Sequence, residues 1–415
     1  MSKKLLEGVK VVELANFIAA ATAGRFFADL GADVIKVESS RGDPLRYTAP
    51  SEGRPLDMFE NTTWELENAN KRNISINTKS EEGKEILFKL LDGADILITN
   101  WRVGALQRAG LDYESLKTRF PKLVYGMVTG YGEKGPDKDL PGFDFTAFFA
   151  RGGYLEMLRQ RDSVPMNVVP GVGDHNVGLN LAAGLLAALY HAKMTGKGEK
   201  VETSLFESAI FNMGMMVQSA QYTETGAKYP INIREADNPL LACWHTADDR
   251  YIQTCTPDYN TYYKRFITAI GRADLVDSER YFPVQNLQKN KASSEVYDIV
   301  MAAFGTKTVA EWSKIFTEAD IPFSLAQNWE EILVDKQAWA NDCFYKMKYP
   351  NGNERTLVHQ PVKFEEMGVP KYERGPFIGE QSAEVLAELG YSEAEINRIK
   401  AEGVVYFWNP DDFKK

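Results

Sequence analysis

A carboxylate directly after a Gly-x-Gly step is the sharpest chemical feature of this chain: Gly171-Val172-Gly173-Asp174-His175-Asn176. Asp174 stands just before an apolar stretch that predicts a buried helix from Val177 to Met194. The glycines permit unusual backbone angles and let a ligand come close. A carboxylate at a helix N-terminus is favoured by the macrodipole, which predicts a lowered pKa and an ionised group near neutrality. An ionised Asp can attack a carbonyl carbon. The same residue also reads as an ordinary N-cap with no chemistry, and local features leave both readings open.

Other candidates lie after strands, where open α/β sheets bind ligands. Asn16-Phe17-Ile18-Ala19-Ala20 follows the first strand, Ser39 to Arg46 the second, and Asn100-Trp101-Arg102 to Arg108 a later one. Arg41, Arg46, Arg102 and Arg108 could hold phosphates, and Trp101 could stack on an adenine. Solvated surface arginines are the plainer reading. There is no G-x-G-x-x-G and no G-x-x-x-x-G-K, so neither a dinucleotide fingerprint nor a P-loop is present. Three cysteines and four histidines show no metal-ligand spacing, so no metal site is expected. A net charge of −10 argues against nucleic-acid binding. No apolar run approaches the roughly 20 residues that span a bilayer, and the first eight residues lack a signal-peptide core. No membrane partner and a cytoplasmic location are therefore expected.

Positioning these groups falls to a βα alternation. Val9–Leu14 and Ala32–Glu38 read as strands around a helix from Ala20 to Leu30, with Gly31 as its stop. Thr78 and Glu81 have capping-box spacing before a helix that Gly93 ends. Ala94–Ile98, Leu123–Val128 and Lys200–Thr203 follow as strands, and a short helix is expected at Thr146 to Ala150. The 415 residues exceed most single cores. The α/β rhythm weakens near 225, which predicts a large domain over 1–224, a small one over 225–330, and a return to the large one over 331–415.

Taken together, the motifs resemble those of the family III CoA-transferases. They are Leu6-Glu7-Gly8-Val9-Lys10-Val11-Val12-Glu13-Leu14, Gly31 to Glu38 followed by Gly42-Asp43 and Arg46, Asn70-Lys71-Arg72-Asn73, Gly130-Tyr131-Gly132 with Gly135-Pro136, and Thr195-Gly196-Lys197-Gly198. The resemblance implies a Rossmann-like large domain with a mainly parallel sheet, a smaller α+β domain, and an interlocked homodimer. It implies that Asp174 is the nucleophile. It implies CoA contacts from Phe17, Ile18, Ala19, Ile76, Asn77, Thr78, Lys79, Asn100, Trp101, Arg102 and Arg108, with acyl-CoA as substrate and no permanently bound cofactor. That family's flexible glycine flap has no counterpart in Thr254 to Tyr259.

Racemases on the same fold carry a histidine where this chain has Phe143, and phenylalanine cannot move a proton. A racemase is therefore the weaker alternative. Further segments, including Leu45 to Pro55 and Gly142 to Gly153, are similar to the branch that activates (R)-2-hydroxy acids. That implies CoA transfer from an acyl-CoA such as cinnamoyl-CoA to (R)-phenyllactate, with (R)-2-hydroxyisocaproate or another acid as alternatives. Phe145, Phe148 and Phe149 would suit an aromatic acyl pocket or, equally, a core. His175 could orient the acceptor's hydroxyl or serve structure alone.

Overall fold

Runs rich in Val and Ile, two to six residues long, build a seven-stranded sheet in the computed structural model, which describes residues 4–222 and 229–413. Six strands are parallel: β1 (Lys10–Leu14), β2 (Asp33–Glu38), β3 (Arg72–Ile76), β4 (Ile96–Thr99), β5 (Val124–Thr129) and β6 (Lys200–Ser204). Their order is β3-β2-β1-β4-β5-β6, and Val405–Tyr406 adds an antiparallel edge beside β3. The order reverses between β1 and β4, so the crevice of a doubly wound sheet opens there.

Helices connect the strands: α1 (Ala19–Asp29), α2 (Thr62–Asn68), α3 (Glu81–Asp92), α4 (Val103–Ala109) and α5 (Tyr113–Arg119). Gly31, at φ +95°, turns the chain from α1 into β2. The cap of α3 is Ser80, whose hydroxyl accepts from Gly83 N–H at 3.1 Å. Thr78 was the expected cap, but its N–H bonds Ile76 O and it still belongs to the turn leaving β3. Ile74, Ile76, Ile86, Leu87 and Leu97 form the core under this half of the sheet.

Asp144–Ala150 is a π-helical turn rather than an ordinary helix, and it is followed by α6 (Tyr154–Met157). Then α7 runs from Val172 to Thr195 and packs along α1. It starts five residues before the expected Val177 and is not buried all round: Val172, Ala183, Ala187, Tyr190 and Met194 face outward. After β6, α8 spans Leu205–Asn212.

Two compact units partition the chain. The first comprises Met1–Tyr154, Asn167–Gln218 and Lys336–Lys415, and the second Leu155–Met166 and Ser219–Asp335. The second holds an antiparallel sheet of Cys243–His245, Tyr251–Thr254 and Phe323–Leu325. Trp244, Phe304, Trp312 and Phe316 stack in its core. No helix among the described residues is long and apolar enough to cross a membrane.

Candidate active site

Asp174 lies inside the first turn of α7, not ahead of it. The N-cap is Gly171 at φ +91°, a left-handed conformation that glycine adopts without strain and that offers no side chain to the helix. The missing cap comes from 27 residues upstream. Asp144, only 3% exposed, accepts from Gly171 N–H at 2.7 Å and Gly173 N–H at 3.0 Å. A β-carbon at Gly173 would collide with that carboxylate and with the Phe148 ring, so the close approach requires glycine. Asp144 takes the amides of Gly171 and Gly173, and the Asp174 carboxylate makes no hydrogen bond among the described residues.

Beside it stands a second buried acid. Glu67, on α2, accepts from Thr22 Oγ1 at 2.8 Å and faces His175 Nε2 at 2.7 Å. Its side chain is 1% exposed, against 37% for His175. Burial raises the Asp174 pKa to about 7, reinforced by the charges of Asp144 and Glu67 and opposed by His175. This corrects the lowered value expected from the helix dipole. Asp144 takes the Gly171 and Gly173 amides, and burial together with the two neighbouring acids outweighs what remains of the dipole. Burial also raises Asp144, partly offset by its two backbone donors. Burial pulls His175 down, but the bond to Glu67 and that residue's charge more than compensate, so its pKa lies above the ordinary value.

The loop after β1 closes one side of the site. Phe17 has φ +58°, a strained conformation for a non-glycine residue. Its N–H donates to Asp43 Oδ1 at 2.9 Å. Asn16 and Asn100 exchange two hydrogen bonds, 3.0 and 2.7 Å, across the point where the strand order reverses. A β-carbon at Gly171 would lie 3.6 Å from Ile18 and 3.3 Å from the His175 ring, so this loop borders the start of α7. Phe143 is 55% exposed and meets Phe17 edge-on at 6.0 Å.

Topology brings the predicted CoA residues to one edge of the sheet. Phe17, Ile18 and Ala19 follow β1, Asn77, Thr78 and Lys79 follow β3, and Asn100, Trp101, Arg102 and Arg108 follow β4. Asn77, Lys79, Arg102 and Arg108 are exposed. Trp101 packs partly on the core, and Ile76 lies wholly within it. Arg46 is no phosphate ligand: it makes a bidentate pair with Glu38 at 3.0 and 2.7 Å and stacks on Trp64. The aromatic cluster also divides. Phe148 and Phe149 are core residues packed with Tyr154, and only Phe145 points outward.

Sequence reasoning missed Asp144 and Glu67, because both act across long chain separations. It also missed a fully buried ion cluster. Lys36 pairs with Glu13 at 2.8 Å and Asp43 at 3.0 Å, and Lys71 pairs with Glu13 at 2.7 Å. A signal for it existed. Glu13 and Lys36 are each enclosed by apolar strand residues, and the register sets them opposite each other. In a parallel sheet covered on both faces, such residues have to pair.

Comparison with known proteins agrees with this architecture. The family model described as CoA-transferase family III matches residues 6–382. A cinnamoyl-CoA:phenyllactate CoA-transferase from Clostridium sporogenes is 58% identical over 398 residues, covering 96% of each chain. An (R)-2-hydroxy-4-methylpentanoate CoA-transferase from Clostridioides difficile is 44% identical over 97% of this chain and 100% of the relative. The crystal structure of a CAIB/BAIF family protein from Brucella suis superposes with a TM-score of 0.79 at 26% identity, covering 93% of this chain and 99% of that one. Matched along nearly its whole length in both sequence and fold, the chain belongs to CoA-transferase family III.

Proposed function

We propose that the protein moves CoA from an aryl acyl-CoA such as cinnamoyl-CoA to an (R)-2-hydroxy acid such as (R)-phenyllactate, with Asp174 as the covalent relay. The observation that carries this reading is the Asp174 carboxylate itself, largely buried and, among the described residues, without a hydrogen-bond partner, while its neighbours Gly171 and Gly173 are held by Asp144. Its identity with the phenyllactate enzyme supports the choice of acids.

Ionised Asp174 attacks the thioester carbonyl, the C–S bond breaks, and CoA leaves as thiolate, giving a mixed anhydride. The thiolate attacks the Asp174 carbonyl and expels the donor's carboxylate, leaving an aspartyl-CoA thioester. The acceptor carboxylate then displaces the thiolate, which returns to the acceptor's carbonyl and frees Asp174. Each carbonyl attack needs a donor for the developing oxyanion, and water must be kept out to spare the anhydride.

CoA would lie along the edge formed by Phe17 to Ala19, Asn77 to Lys79, Asn100 to Arg102, and Arg108. The N-termini of α1 and α3 open onto this edge and suit phosphates. Phe17, Phe143 and Phe145 are the outward rings nearest in sequence to the site and suit an aryl group. Phe143 offers no group to carry a proton, which speaks against racemisation.

The working unit would be a homodimer. Tyr190 and Met194 of α7, one helical turn apart, and Phe211 of α8 are apolar side chains 69–82% exposed. A second copy of the chain would cover it, which sedimentation equilibrium would detect. Three free, exposed cysteines suit the reducing cytoplasm.

The test is an exchange assay with cinnamoyl-CoA as donor and (R)-phenyllactate, (R)-2-hydroxyisocaproate, oxalate or carnitine as acceptor. Rapid formation of phenyllactyl-CoA is expected. Exchange with neither hydroxy acid would overturn the substrate assignment.

A further inference from the structure

His175 uses one ring nitrogen and leaves the other open. Nε2 faces Glu67 Oε1 at 2.7 Å, and Glu67 is anchored in turn by Thr22 Oγ1. The three residues come from α7, α2 and α1, so the ring's orientation is fixed by three packed elements. Nδ1 has no hydrogen-bond partner among the described residues, and the side chain is 37% exposed. A polar atom so fixed, half-open, and one residue from the reacting carboxylate has the attributes of a ligand contact.

Resting on the reading above, we infer that His175 Nδ1, oriented by Glu67, binds the α-hydroxyl of the acceptor acid and so selects 2-hydroxy acids. The charges facing the ring are Glu67, Asp174 and Asp144. Once Asp174 carries CoA it is neutral, and Asp144 is satisfied by backbone amides. With the ring protonated, the Glu67–His175 pair carries no net charge and adds no repulsion to an incoming carboxylate. A hydroxyl suits Nδ1 in either state of the ring: it accepts from the imidazolium and donates to the neutral imidazole whose Nε2–H serves Glu67. A carboxylate would suit only the first. The acceptor's carboxylate must also stay free to attack Asp174, whereas the α-oxygen takes no part in bond making. The acids in the names of the two relatives differ in side chain, aryl against branched alkyl, and share this hydroxyl.

The variant His175→Gln separates the functions of the two nitrogens. Its amide can still reach Glu67 where Nε2 did, but nothing replaces Nδ1. Exchange from cinnamoyl-CoA would be measured for (R)-phenyllactate and for 3-phenylpropanoate, which lacks only the hydroxyl. The quantity read is the ratio of their two kcat/KM values. The wild type favours phenyllactate, and in His175→Gln that ratio falls about 10- to 100-fold, the usual worth of a hydrogen bond to a charged group. An unchanged ratio, however far both constants drop, would assign His175 to the structure or to Asp174 and overturn the inference. A wild type that transfers CoA to both acids without preference would overturn it as well while leaving CoA transfer intact. Transfer to neither acid would sink the substrate reading and this inference with it.

Discussion

The carboxylates at the end of β2 and in the loop after it are buried, the carboxylate in the first turn of α7 is largely so, and their surroundings are opposite. Glu38 is clamped by Arg46, and Asp43 is paired with Lys36 while holding Phe17 N–H and Leu45 N–H. Asp174 has two acids and one histidine about it and no hydrogen bond of its own among the described residues. Paired charges in a dry interior fix the backbone and are inert. An unpaired carboxylate keeps its lone pairs available and binds its proton more tightly than usual. The first region sets the strained loop at Phe17, the second would supply the proposed nucleophile, and each needs what the other lacks.

The largest expected effect comes from breaking the inert region. Arg46→Met leaves Glu38 buried without its partner and is expected to cost about 3–5 kcal/mol of stability in urea unfolding. A loss below about 1 kcal/mol would mean the cluster is not a fixed frame. Next comes the cap of α7. Asp144→Ala removes two charge-assisted bonds and is expected to cost about 2–4 kcal/mol, together with most of the transfer activity.

Asp144→Asn sharpens the contrast by changing charge more than shape. In the wild type, kcat/KM should rise with pH and level off above about 7, as Asp174 ionises. Removing the Asp144 charge removes one of the causes that raise that pKa, so the acid limb should move to lower pH. A shift to higher pH would contradict the electrostatic account.

The smallest effect is on stability. Because the folded chain holds the Asp174 proton up to about pH 7, its contribution is fully present below the ordinary value of 3.8 and is lost as pH rises through about 7. Asp174→Asn should therefore stabilise the protein at pH 8, by on the order of 1–3 kcal/mol, and leave it nearly unchanged at pH 4. Thermal melts at the two pH values check the sign.

Much of this was legible in the sequence, for identifiable reasons. The parallel sheet follows from β-branched runs spaced by helices with glycine stops such as Gly31, and Asp174 was conspicuous after Gly171 and Gly173. What could not be read is whatever depends on distant partners. Asp144 caps a helix 27 residues away, and Glu67 meets His175 across 108. The start of α7 was misplaced because Gly171 and Gly173 read as loop until a remote carboxylate is known to hold them. The pKa of Asp174 was given the wrong sign for the same reason. Arg46 was read as a surface residue open to phosphate, because only the fold shows that Trp64 covers it and Glu38 neutralises it.

The central claim is that Asp174 becomes covalently bound to CoA. Enzyme mixed with cinnamoyl-CoA and no acceptor, quenched with borohydride and mapped by peptide mass, should show Asp174 reduced to the alcohol, with no such product in Asp174→Asn. Reduction at another side chain, or an unmodified Asp174 in enzyme that still turns over, would contradict it.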